Sequence, residues 1–145
     1  MEVAKGAATA VTDFKDTVGG SATYRVCVYD GSARPQPLME MDVPPGGICG
    51  TKPCWKASGT TGFSFANKVG TTTGLTSVKL KAGSAGKAQV QAAGKGASLP
   101  MPTLGLALPV TVQFLAKDNV STECWQTAFT TQTKNDTAQF SAKGP

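Results

Sequence analysis

The chain has 145 residues, a formal net charge of +5 and 16% charged residues, against about 25% in ordinary soluble domains. That length fits one domain with a real hydrophobic core. With no histidine, Ser-His-Asp and Cys-His catalysis and His-ligated metals are excluded.

Residues 1–20 carry Glu2, Lys5, Asp13, Lys15 and Asp16 and no apolar run, so they do not read as a secretory leader. The expectation is a removed leader or a module of a longer chain. Within this segment, which is open between an edge strand and a linker, residues 7–14 could also form one helical turn. Thr23–Tyr29 alternates Tyr24, Val26 and Val28 with Arg25, Cys27 and Tyr29, a half-buried strand. Asp30-Gly31-Ser32 turns the chain, and residues 38–43 alternate again before Pro44-Pro45-Gly46-Gly47. Residues 49–55 form a loop entering a short strand. Gly62–Ala66 sets Phe63 and Phe65 on one face, and residues 67–74 are polar and loop-like.

The clearest unit is residues 77–92. Val78 and Leu80 alternate with Lys79 and Lys81, a Gly-rich turn follows, and Ala88 and Val90 alternate with Lys87, Gln89 and Gln91. This predicts a hairpin with one dry face and one lysine-bearing face. Residues 96–116 lack charge and have the length of a membrane span, but Pro100, Pro102 and Pro109 break them. They read as a Pro-rich loop running into a strand whose Val110, Val112 and Phe114 face inward. Residues 122–130 form a further strand, and Phe140 docks a last short one. The expectation is a single all-β domain over residues 1–145. It is an antiparallel two-sheet β-sandwich of about seven to nine strands, with a closed barrel as the alternative.

The cysteines are Cys27, Cys49, Cys54 and Cys124. An even count in a small, loop-rich β domain favours two disulfides and an oxidising compartment: extracellular, cell-surface or periplasmic. Cys49–Cys54 with Cys27–Cys124, and Cys27–Cys49 with Cys54–Cys124, both remain open. The second is suggested by the repeated pairs Cys54-Trp55 and Cys124-Trp125. A zinc site would need a CxxC knuckle or histidine, so no metal and no cofactor are expected.

The string CVYD (residues 27–30), GGICGTKPCWK (46–56), VKLKAGSAGKAQV (78–90), GKG (94–96), PVTVQF and ECW resembles a module that recurs in large secreted proteins of environmental bacteria. The resemblance covers residues 5–143. It implies an extracytoplasmic location and four paired cysteines, and it supplies no site residues.

Motifs for chemistry are weak. GSAGKA at residues 83–88 has Lys81 where a phosphate loop needs glycine and Ala88 where it needs a hydroxyl. Ser84 and Lys87 match S-x-x-K, but on a turn rather than a helical face. Asn119 and Asn135 open glycosylation tripeptides that read as turns. The charge map is more informative. Residues 51–100 hold seven lysines and no acid, whereas residues 1–50 hold four basic and six acidic residues. Lys79, Lys81, Lys87 and Lys95 therefore form a candidate anion-binding face. With no arginine in that third, specific nucleic-acid reading is not expected. Trp55 and Trp125 are candidate stacking rings for sugars, or core residues. The sequence thus favours a non-catalytic accessory or structural module of a secreted or surface protein. The alternative is a carbohydrate- or polyanion-binding module, whose partner would be an acidic polysaccharide or another surface component.

Overall fold

The structure, a computed structural model, describes the backbone of Glu2–Val3 and residues 7–142. It is all-β, with antiparallel sheets. The strands are β1 (Glu2–Val3), β2 (Thr23–Tyr29), β3 (Met39–Val43), β4 (Ile48–Cys49), β5 (Lys52–Pro53), β6 (Trp55–Ala57) and β7 (Gly62–Ala66). They continue as β8 (Leu75–Lys81), β9 (Gln89–Gly94), β10 (Val110–Lys117), β11 (Thr122–Phe129), β12 (Lys134–Asn135) and β13 (Phe140–Ser141). One 3-10 turn, Val11–Phe14, drives Phe14 into the core. The beginning of the chain thus holds both an edge strand and a helical turn.

Two sheets dominate. One has the order β1-β9-β8-β7-β6 and the other β11-β10-β2-β3. Period-two alternation decides what each buries. Val78, Leu80, Val90, Val110, Val112 and Phe114 are buried and Lys79 and Lys81 exposed, which fixes the expected register; Gln89 and Gln113 are half-buried rather than exposed. The inner faces of both sheets feed one apolar cluster. Through it runs a chain of aromatic contacts: Phe65–Trp55 at 5.2 Å, Trp55–Tyr24 at 5.0 Å, Tyr24–Phe114 at 5.3 Å, Phe114–Trp125 at 5.9 Å and Trp125–Phe14 at 5.2 Å. The contact from Trp55 to Tyr24 passes from the five-stranded sheet to the four-stranded one.

Edges and crossings explain several small residues. Thr73 caps the outer edge of β3: its hydroxyl accepts from the Asp42 amide (3.0 Å) and donates to the Asp42 carbonyl (3.3 Å). This covers backbone groups that would otherwise invite another strand. Gly62 has no room for a side chain, because a Cβ there would lie 1.8 Å from the Leu80 carbonyl oxygen across the β7–β8 ladder.

The expected pair of disulfides is corrected to one. Cys49–Cys54 closes the β4–β5 hairpin, while Cys27 and Cys124 are free. The reason is topological. Cys27 lies on β2 opposite Gln113, and Cys124 lies on β11 opposite Leu115, with β10 between them. Two strand spacings put them roughly 10 Å apart, beyond the ~7 Å that a disulfide spans. The alternative pairing of Cys27 with Cys49 and Cys54 with Cys124 is absent because Cys49 and Cys54 are bonded to each other. Burial pushes both free thiols above their usual range, aided at Cys27 by the Glu40 carboxylate. Unreduced protein is therefore expected to show two titrating thiols when denatured. Only the exposed Cys124 should react in the native state, and slowly near neutral pH. Thiol titration with and without denaturant checks this; a denatured value of zero would restore the second bridge.

Candidate functional site

The lysine face is built by strand parity. Lys79 on β8 pairs with Ser64 on β7 and Gln91 on β9, and Ser64 pairs with Lys56 on β6. One cross-strand row therefore reads Lys56, Ser64, Lys79, Gln91. The next reads Gly62, Lys81, Gln89. Residues of these rows point away from the core, and Lys56, Lys79 and Lys81 are exposed. Lys79 and Lys81 are two residues apart, about 7 Å, and Lys56 and Lys79 two strands apart, about 10 Å. These spacings are within a Debye length at ~0.1 M salt, so their fields add. β6 to β9 contain no acid; the backbone of Glu2 pairs with Gln91 where the row ends at β1.

The four lysines expected together are divided. Lys79 and Lys81 share the face. Lys87 lies outside β9, in the turn whose Lys87 amide donates to the Ser84 carbonyl (2.9 Å). Lys95 lies at the other end of the hairpin, its amide donating to Gly74. Lys56 joins the face instead. Its membership depends on the β6–β7 register, which the alternation of a three-residue strand does not reveal.

The two tryptophans turn inward. Trp55 is 1% exposed, and its indole N–H donates to the Pro44 carbonyl (2.9 Å). Trp125 is half-buried between Phe14 and Phe114, and its N–H donates to Thr9 (3.2 Å). Both follow inward strand parity, so Trp55 offers no ring to solvent and Trp125 has its ring contacts inside the protein.

Elsewhere several charges are paired. On the outer face of the four-stranded sheet Arg25 clamps Asp42 (2.7 and 3.0 Å) and Glu40 (2.8 Å). Lys15 lies near Asp118 (3.9 Å) and Glu123 (3.6 Å). The Asp118-Asn119 and Asn135-Asp136 segments are turns. Asp118 accepts the amides of Val120 and Ser121, and Asp136 those of Ala138 and Gln139, which hold both carboxyls below their usual range. Asn135 uses its own amide to hold Leu106, so it serves as a tether. No group of three or more His, Cys, Asp or Glu that could hold a metal ion occurs among the described residues, nor a helix long and apolar enough to cross a membrane.

No family model, curated protein or solved structure matches the chain. The resemblance carried by the motif string thus has no counterpart in these comparisons, and function rests on the chemistry of the surface.

Proposed function

We propose that this protein is a non-catalytic accessory module of a secreted or cell-surface protein that engages an anionic polymer, such as an acidic polysaccharide, through the lysine face of its five-stranded sheet. The observation that carries this reading is the grouping of Lys56, Lys79 and Lys81 on one polar face whose strands β6 to β9 hold no acid. Lysines also guard sheet edges against pairing, but β8 is the central strand of its sheet, so that role does not account for Lys79 and Lys81. An extended polyanion suits such a face: it needs a field and repeated contacts rather than a deep pocket. The Cys49–Cys54 bridge supports an extracellular, cell-surface or periplasmic setting. The same reading takes the two sheets as the layers of a sandwich, supported by the aromatic contacts that pass from one to the other.

The test is binding to heparin or alginate at low and high salt. Wild-type affinity is expected to fall with salt, and the triple variant K56Q/K79Q/K81Q to lose about tenfold or more. A matched variant, K52Q/K68Q/K95Q, removes the same charge elsewhere and is expected to lose much less. Unfolding midpoints should barely move, since exposed charges contribute little to folding. Equal losses in the two variants, or binding indifferent to salt, would reduce the lysines to a solubilising surface.

A further inference from the structure

We infer that the chain carries a second, separate site: a preformed cleft between residues 30–38 and the Pro-rich loop, which takes a short acidic saccharide with Arg34 holding a uronate carboxylate. The cleft is open to solvent on one side and has a volume of about 450 Å³, within the ~300–1,000 Å³ typical of small-ligand sites.

The junction where the two walls meet is held by hydrogen bonds at residues 30–32 and 106–107 that the sequence alone does not announce. The Asp30 carboxylate accepts from the Ser32 amide and hydroxyl at one oxygen and from the Ala107 amide (3.2 Å) at the other. The Gly31 amide donates to the Ala107 carbonyl (2.8 Å). A Cβ at Gly31 would stand 2.2 Å from the Leu108 carbonyl oxygen, so glycine is what lets the two segments meet. From the far side Asn135 accepts from the Leu106 amide (2.9 Å) and donates to the Leu106 carbonyl (2.7 Å). A long segment without strand or helix is thus pinned at Leu106 and Ala107 from two directions. Long irregular segments held in this way are where binding sites concentrate.

The lining supplies the ligand chemistry. Asp30 belongs to the walls: its carboxylate accepts from three donors of the protein, led by the Ser32 hydroxyl, and with a smaller attraction from Arg34 these hold the carboxyl below its usual range. Arg34 forms no ion pair among the described residues and is exposed at the cleft. It is presented by Ala33, whose φ of 57° is the left-handed conformation that non-glycine residues rarely adopt. Gln36 and Thr103 add an amide and a hydroxyl, and Pro37, Leu38 and Leu104 add apolar surface. A sugar ring has hydroxyl edges and C–H faces to match these two kinds of wall. The guanidinium fork selects a carboxylate over a neutral substituent.

This inference does not depend on the lysine face, and the test separates them. Digalacturonate and its dimethyl ester are titrated into the whole protein, with amide chemical shifts and calorimetry as readouts. The acid is expected to bind with shifts confined to residues 30–38 and 100–107, and the ester about tenfold or more weaker. Arg34→Gln should lower affinity for the acid by about tenfold or more, Arg34→Lys by less, and K56Q/K79Q/K81Q by less than about twofold. Equal binding of acid and ester, an unaffected Arg34→Gln variant, or no shifts at about 10 mM ligand would each overturn the assignment. Loss of digalacturonate binding in the lysine variant alone would assign the saccharide to the sheet face instead.

Discussion

Replacing Trp55 by alanine is expected to destabilise the protein by about 3–5 kcal/mol, the range seen when a large aromatic is removed from a packed core. Trp55 is 1% exposed and is the largest of the fully buried side chains. It joins two ring contacts, to Phe65 on its own sheet and to Tyr24 on the other, so its loss opens a cavity where the sheets meet. Its indole N–H also satisfies the Pro44 carbonyl, which would be left without that partner. The adjoining backbone makes relaxation difficult. The Cys54 amide donates to Gly47 (3.0 Å), the Ala66 amide to Cys54 (2.9 Å), and the Cys49–Cys54 bridge ties the preceding hairpin. Trp125→Ala should cost clearly less, since Trp125 is only half-buried at the edge strand β11. Urea unfolding of both variants checks the order. Equal losses, or a loss below about 1 kcal/mol for Trp55→Ala, would show that the junction is not the centre of the core.

Strands that alternate over five or more residues are visible in the sequence, and β2, β7 and the inward set of β10 lie where alternation puts them. The Cys-Trp repeat also had a physical meaning, though not a shared bridge. In each pair the tryptophan turns toward the core, and on β11 that parity puts Cys124 on the same outer face as Cys27 but two strands away, across β10. What sequence reasoning missed depends on register between distant segments. Lys56 joins the lysine face only because Trp55 pairs with Phe65, and the cleft exists only because Asp30 and Asn135 reach a loop 77 and 29 residues away. No local propensity encodes such contacts. The best local trace is a glycine after an aspartate, Asp30-Gly31, which reads as an ordinary turn until the close approach of Leu108 is known.

The second large effect is expected at alkaline pH. There is no histidine, so the fold lacks the group that ordinarily titrates near neutrality. Tyr24 is 1% exposed, and its hydroxyl donates to the Phe14 carbonyl. Only the neutral phenol can make that bond. Burial first, and then the nearby Asp16 carboxylate, push its ionisation well above the usual value of 10.0. Below pH 10 the phenol is protonated in both folded and unfolded chains, and its contribution to stability is fully present. Above pH 10 the unfolded chain releases the proton while the folded chain retains it. Stability therefore falls as pH rises toward the folded-state value, by up to about 1.4 kcal/mol per pH unit. The buried thiol of Cys27, raised from 9.0, adds a loss of the same sign that begins slightly lower. A melting temperature nearly flat from about pH 6 to 9 is expected, with a steep decline above about pH 10. Tyr24→Phe should start less stable, because the Phe14 carbonyl loses its donor, but decline less steeply in that range. Tyrosinate absorbance supplies a second readout from the two tyrosines. Tyr29, partly exposed on β2, should ionise in the folded protein, and Tyr24 only as the protein unfolds. Parallel alkaline decline in wild type and Tyr24→Phe would place the sensitivity on Cys27 instead of on the phenol at the junction of the two sheets.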